Sequence, residues 1–248
     1  MDLIDDITFD EPTEMAFNEV RSNFTIYQGE KMTFLKEKNL IVDLHIHSKY
    51  SPDSTVEPKT ILKVAKERGL QGVAVTDHNT IRGGLETLKI NNDPSFLVIV
   101  GSEIETDKGD IIGLFLTKEI QSRRAKEVIK EIKEQGGIVL WAHPYREGKN
   151  LLPSNLIKSV DVIEGFNAKT YESHNMLAQK LAERYHKPVV GASDAHSASE
   201  IGNAATMVNC SNIEAIKDSI IKGKTQIIGF KLSYDHLYDF QLPVQQQV

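Results

Sequence analysis

The sequence predicts an α/β fold, a single (β/α) barrel on a mostly parallel sheet. Three observations carry this expectation. Short apolar runs recur along the chain, helix patterns separate several of them, and no obvious reversal interrupts seven or so such units. Runs apolar on both faces belong to strands covered on both sides, as in parallel sheets. The unbroken alternation favours a closed barrel over an open sheet.

Residues 1–38 show weak periodicity, many charges and one short helical stretch, "PTEMAFNEVRSNF". They read as a partly ordered extension. The barrel domain spans 39–232, with strand-like runs at 39–44, 72–76, 96–101, 110–116, 137–142, 161–166 and 187–193, and a weaker eighth at 205–209. "EPKTILKVAKERGL" has Pro58 near its start, where a missing amide does no harm, and Gly69 near its end. "SRRAKEVIKEIKEQGG" places Ala125, Val128, Ile129 and Ile132 at helical spacing, with Ser122 as N-cap and Gly136 as stop. "HNMLAQKLAERYHKP" and "SNIEAIKDSIIKGK" repeat the pattern, and residues 233–248 read as a frayed tail.

Composition narrows the function. With 29 basic and 35 acidic residues the net charge is −6, which argues against a broad nucleic-acid surface, since that needs a basic patch. The single cysteine, Cys210, permits no intrachain disulfide and fits a reducing compartment. The acidic start "MDLIDDITFDEPTE" does not look like a secretory signal, and no apolar run approaches the ~20 residues of a membrane helix. A cytoplasmic protein is expected.

The polar residues fall where the strands end. "DLHIHSKYSPDS" supplies His45, His47 and Asp53; "TDHNT" supplies Asp77 and His78; "GSEIET" supplies Glu103 and Glu105. "AHPYR" supplies His143 and Arg146, "IEGFNA" Glu164 and Asn167, and "SDAH" Asp194 and His196. Five of the eight histidines therefore lie at predicted C-terminal strand ends, the edge where barrels build active sites. Side chains alternate along a strand, so His45, His47 and Asp43 should point the same way.

Any one of these histidines alone is an ordinary loop residue, but the joint pattern points to metal. Imidazole with carboxylate suits Zn²⁺, Mn²⁺ and Fe ions. His45, His47, Asp53, His78, Glu103, His143, Asp194 and His196 make eight donors. One ion takes about four to six, so two or three divalent ions are expected. Asp43 and Asp77 are expected to orient ring nitrogens. His174, His186 and His236 are expected to be solvated, and Cys210 inert.

The five motifs "DLHIHSKYSPDS", "TDHNT", "GSEIET", "AHP" and "SDAH" resemble, in order, those of the PHP (polymerase and histidinol phosphatase) family of metal-dependent phosphoesterases, across residues 40 to about 205. The resemblance implies a distorted seven-stranded, TIM-like (β/α) barrel. It also implies that His45 and His47 bind one metal with Glu103 and Asp194. Glu103 and His143 would bind a second, and Asp53, His78 and His196 a third. In one departure, "DKGDIIGLFL" carries Asp110 where many members have a further histidine. Either Asp110 substitutes or that metal site is open and weaker.

Metal ions about 3.5–4 Å apart can clamp a phosphate and generate an attacking hydroxide. The expected activity is hydrolysis of a small phosphomonoester or nucleotide by metal-bound hydroxide, without a thiol nucleophile. Arg82 and Arg146 would bind substrate phosphate, and His78 or His196 would protonate the leaving group. Partners are expected to be small phosphorylated molecules or short oligonucleotides, not long nucleic acid and not membrane. An amidohydrolase-type metal enzyme and a non-catalytic metal-binding scaffold of the same fold are the alternatives.

Overall fold

The computed structural model describes residues 25–26, 39–146, 152–210 and 215–229. In chain order they form β1 (Thr25–Ile26), β2 (Asn39–Ile46), α1 (Pro58–Glu67), β3 (Gly72–Val75), α2 (Arg82–Ile90), β4 (Leu97–Thr106), β5 (Gly109–Leu114) and α3 (Ala125–Glu134). There follow β6 (Ile138–Trp141), α4 (Ser154–Ile157), β7 (Val162–Asn167), α5 (Glu172–Arg184), β8 (Val189–Ala192), β9 (Ala204–Asn209), α6 (Ile216–Ile221) and β10 (Thr225–Gly229). The helical stretch expected near the start, the expected tail and His236 lie outside the described residues.

The strands form one sheet in the order β1-β10-β9-β2-β3-β4-β5-β6-β7-β8. It curls into a nearly closed barrel. Across the seam, the Thr206 hydroxyl accepts from the Gly191 amide at 2.9 Å and donates to its carbonyl at 2.7 Å. Near the mouth, the amide of His47 donates to the carbonyl of Ala195 at 2.8 Å. A side-chain hydroxyl thus satisfies backbone groups that a missing ladder would strand.

Two blocks are parallel, β2-β3-β4 and β6-β7-β8, as the alternation predicts. Between them β5 runs antiparallel to both neighbours, a reversal the sequence reading did not contain. The cause is local. Strand β4 continues ten residues to Thr106, leaving only Asp107 and Lys108 before Gly109, which turns at φ +97°. A parallel return needs a crossover of roughly a dozen residues, so so short a link can only make a hairpin. Strand β9 is likewise antiparallel to β2, and β10 to β9.

Helices cover the outside. Val128, Ile129 and Ile132 of α3 pack with Ile111, Val139 and Trp141, and Ile61, Leu62 and Ala65 of α1 with Val73 and Val75. The interior draws on β2 to β9, including Leu44, Ala74, Ile99, Ile112, Leu140, Val162 and Val190, with Ile216 and Ile220 of α6 packed against them. Pro58 opens α1 and Gly136 (φ +69°) follows α3, as expected. Ser122 does not cap α3. Arg124 holds the cap position, Ser122 accepts its amide at 3.1 Å, and the Asp107 carboxylate accepts the Ala125 amide at 2.9 Å. A carboxylate suits a helix N-terminus electrostatically.

The helix α2 is hidden in the sequence because "RGGLETLKI" carries two glycines, poor helix formers, in its first turn. Close approach explains Gly83. A Cβ there would lie 1.9 Å from Asp77 Oδ2 and 2.2 Å from Ser48 Oγ. Helix propensity alone predicts that Gly83→Ala stabilises the protein by about 1 kcal/mol. The packing predicts the opposite, a loss of roughly 1–3 kcal/mol from overpacking, readable as a lowered denaturant midpoint.

Candidate metal centre

The parallel blocks carry their ligand-type residues to one barrel edge. His45 lies at the C-terminal end of β2 and His47 just beyond it, Glu103 is on β4, and His78, His143, Asp194 and His196 follow β3, β6 and β8. The reversal of β5 matters here. Because β5 runs backwards, its N-terminal Asp110 arrives at the same edge as the C-terminal end of β4, paired with Glu105.

At the centre, the Nε2 atoms of His45 and His47 lie 3.0 Å apart. Each is 3.3–3.4 Å from Glu103 Oε2 and Asp194 Oδ1. His45, His47 and Glu103 form one group of ligand atoms within 4.8 Å of one another, and Asp194 groups with His45 and His143; a cage of imidazole and carboxylate donors so spaced suits a divalent ion held at about 2.0–2.2 Å. The other Glu103 oxygen, Oε1, meets His143 Nε2 at 2.9 Å. Glu103, Asp110 and His143 form a second group, and His47, Asp53, His78 and His196 a third, each with ligand atoms within 4.8 Å of one another. In the third, Asp53 Oδ2 lies 3.2 Å from His78 Nε2 and 3.0 Å from His196 Nε2.

The donor chemistry fits divalent ions. Buried Asp194 Oδ1, His143 Nδ1 and His78 Nδ1 make no hydrogen bond, and an unmade bond to a buried polar atom costs about 1–3 kcal/mol. Cations at these groups would satisfy them. The ring orientations agree. Glu164 Oε1 lies 3.0 Å from His45 Nδ1, and Ser51 Oγ lies 2.9 Å from His47 Nδ1, so protons held on Nδ1 leave both Nε2 lone pairs facing the cage.

Glu164, not singled out as a site residue from sequence, is a hub. Its Oε2 accepts the His143 amide at 2.7 Å and the Asn167 side-chain amide at 3.0 Å. The signal was present in "IEGFNA", two polar residues ending an apolar strand. Asp43 and Asp77 do not orient imidazoles as expected. A register shift after Asp43 interrupts the alternation of β2. Its carboxylate accepts the amides of Ser193 at 3.0 Å and Gly202 at 2.9 Å, and burial pushes it up to about 6. Asp77 binds the amide and hydroxyl of Ser48 at 2.6 and 2.8 Å.

Of the two arginines, Arg146 reaches inward to Asp194 Oδ2 and, at 3.1 Å, to Asn167 Oδ1. Arg82 is exposed, its guanidinium 5.0 Å from the Tyr50 ring centre. His186 is exposed, His174 is half-buried against Tyr171, and Cys210 is buried. His143 (φ +25°) and Asp194 (φ +55°) hold left-handed backbone that disfavours side-chain-bearing residues. Such strain gathers at functional sites.

A family model described as PHP-associated matches residues 172–225. Protein MJ1587 of Methanocaldococcus jannaschii is 47% identical over 138 residues, which are 51% of this chain and 81% of that protein. Among solved structures, a two-domain protein of Bacteroides vulgatus containing a "predicted PHP-like metal-dependent phosphoesterase" superposes with a TM-score of 0.68 at 20% identity, over 83% of this chain and 70% of that one. The chain belongs to the PHP family. The lesion-specific endonuclease EndoQ of Pyrococcus furiosus matches with a TM-score of 0.59 at 18% identity, over 76% of this chain and 57% of that one. Among the described residues no helix is long and apolar enough to cross a membrane.

The electrostatics of this PHP site suit cations. Burial opposes charge on Glu103 and Asp194, yet His45 and the other neighbouring imidazoles outweigh it and hold both carboxyls well below their usual range. Burial also opposes charge on His47, but Asp194 and Glu103 outweigh it and raise the imidazole from 6.5 to about 9. Without metal, protons stand in for cations. A folded-state value above the unfolded one contributes stability below pH 6.5 that is lost as pH rises to about 9. Metal-free protein should therefore melt lower at pH 9 than at pH 6.5, whereas metal binding, which needs neutral imidazole, should strengthen over the same interval. Thermal melts with and without chelator check both trends. Glu164→Gln should weaken metal affinity about 10- to 100-fold while leaving the fold intact, measured by competition with a chelating dye.

Proposed function

We propose that this protein is a cytoplasmic metal-dependent phosphoesterase, with the barrel of residues 39–232 hydrolysing a small phosphomonoester or nucleotide. The observation that carries the reading is the two-sided engagement of Glu103, whose oxygens face different donor groups. A carboxylate so placed can bridge two ions. His45, His47, Glu103 and Asp194 would hold the first ion; Glu103, His143 and Asp110 the second; Asp53, His78 and His196 the third. Mn, Fe or Zn suits these donors. When bound, such ions lower the pKa of water and neutralise charge on a transferring phosphoryl group.

The chain's own residues do the rest. Glu164 and Ser51 fix the two imidazoles of β2, so the cage needs little reorganisation. Arg146 and Asn167 hold the second oxygen of Asp194, directing the first inward. His78 and His196, both partly exposed beside Asp53, would pass a proton to a leaving oxygen when not committed to the third ion. Arg82, exposed near the mouth, remains available to more distant substrate groups. The only cysteine, Cys210, follows β9, away from the donor cluster, so no thiol nucleophile is invoked. The complete donor set favours an enzyme over a non-catalytic scaffold, and the net charge of −6 favours small substrates over long nucleic acid.

Phosphate release from a panel of phosphomonoesters, nucleotides and short oligonucleotides with added Mn²⁺ tests this. The wild-type protein should turn over at least one class, and His45→Ala should cut the rate at least about 100-fold by removing a ligand. Full activity in His45→Ala, or hydrolysis of cyclic amides in place of phosphoesters, would sink the assignment.

A further inference from the structure

The cations around the barrel mouth differ in what they are engaged with. Lys49 pairs with Glu57 at 2.9 Å. Arg82 lies over Tyr50, and Arg146 is committed to Asp194 and Asn167. Lys169, just past the end of β7, is different. Its side chain is 35% exposed, and its ammonium sits 3.2 Å from His196 Nδ1. That nitrogen also lies 2.8 Å from the carbonyl of Asp194, and only a protonated Nδ1 can satisfy a carbonyl. The His196 Nδ1 lone pair is then absent, and Lys169 faces another donor.

Nor does a carboxylate complete the lysine. Among the described residues the one acid within 4.0 Å is Glu200, at 3.8 Å, beyond hydrogen-bond reach. Glu200 is itself held, its Oε2 accepting the amides of His196 at 2.7 Å and Ser197 at 2.9 Å. An ammonium therefore stands at the mouth, against His196 of the Asp53–His78–His196 group, with a donor facing it and no acceptor side chain within hydrogen-bond distance among the described residues. An anion is the missing partner.

We propose that Lys169 is a substrate-binding residue that holds a non-bridging oxygen of the substrate phosphate on the His196 side of the cluster. The assignment rests on the phosphoesterase reading above for what the anion is. A phosphate oxygen between the ammonium and the ions would turn an unfavourable donor–donor contact into a charge-assisted hydrogen bond. Its favoured substrate would carry a terminal phosphate dianion, because a point-charge ammonium gains most from the higher charge.

The test uses Mn²⁺-loaded wild type, Lys169→Met and Lys169→Arg. Inorganic phosphate binding is measured by calorimetry, KM and kcat on a phosphomonoester, and bound metal per chain by elemental analysis. In Lys169→Met, phosphate affinity should fall and KM should rise about 10- to 100-fold, with metal content unchanged. Lys169→Arg should recover most of the loss. Unchanged phosphate affinity in Lys169→Met would overturn the proposal, as would loss of metal in parallel, which would make Lys169 a prop for His196. If wild type binds phosphate, Lys169→Met does not, and neither hydrolyses any phosphoester, the lysine assignment stands while the phosphoesterase reading falls.

Discussion

Glu103 sits among four imidazoles, with its oxygens 2.9 Å from His143, 3.3 Å from His45 and His47 and 3.4 Å from His78, and it is only 1% exposed. A carboxylate buried this deeply is tolerable only if its charge is compensated. Protons on the imidazoles can do so, and divalent ions can do so better, because they also satisfy the donor atoms left without hydrogen bonds. Much of the architecture follows from this requirement. Strands β2, β3, β4 and β6 must end at one edge, the barrel must close, and the surrounding carboxylates must be held by amides and hydroxyls.

The supports are as specific as the cluster. Glu164 touches the ring of His45, the backbone of His143 and the side chain of Asn167, linking β2, β6 and β7 through one residue. Asn167 in turn reaches Asp194, and Arg146 closes the circuit. Asp43 ties the end of β2 to the loops after β8 through the amides of Ser193 and Gly202. Left-handed backbone at His143 and Asp194 is held in place by this network. Displacing one member would move several donors together.

The donors were legible in sequence because chemistry and strand ends coincide there. Histidine or acid after nearly every apolar run is a pattern that packing alone does not produce, and the family motifs repeat it in order. Glu164 was visible but unassigned, since one acid at the end of one strand carries no sign of its partner 119 residues away. Asp43 and Asp77 depart from the expectation for the opposite reason. Their neighbourhood in the chain suggested imidazole partners, but the nearest donors in space were backbone amides and the Ser48 hydroxyl. Helix α2 was hidden because Gly83 is chosen by contact with Asp77 and Ser48, not by helix propensity. Lys169 carries no signal in the sequence, because its contact with His196 joins residues 27 positions apart.

By itself the sequence determined the strand and helix periods, the covered faces and the residue types delivered to the strand ends, because these depend on local spacing and side-chain chemistry. It also determined the family, through five motifs in order. The direction of β5 follows locally from its two-residue link to β4, but the meeting of Asp110 with His143 was decided only in three dimensions. So were the seam closed by Thr206 and the pairing of each donor with its support. Those features depend on distances between residues far apart in the chain, and local spacing carries no information about such distances until the sheet has curled and closed.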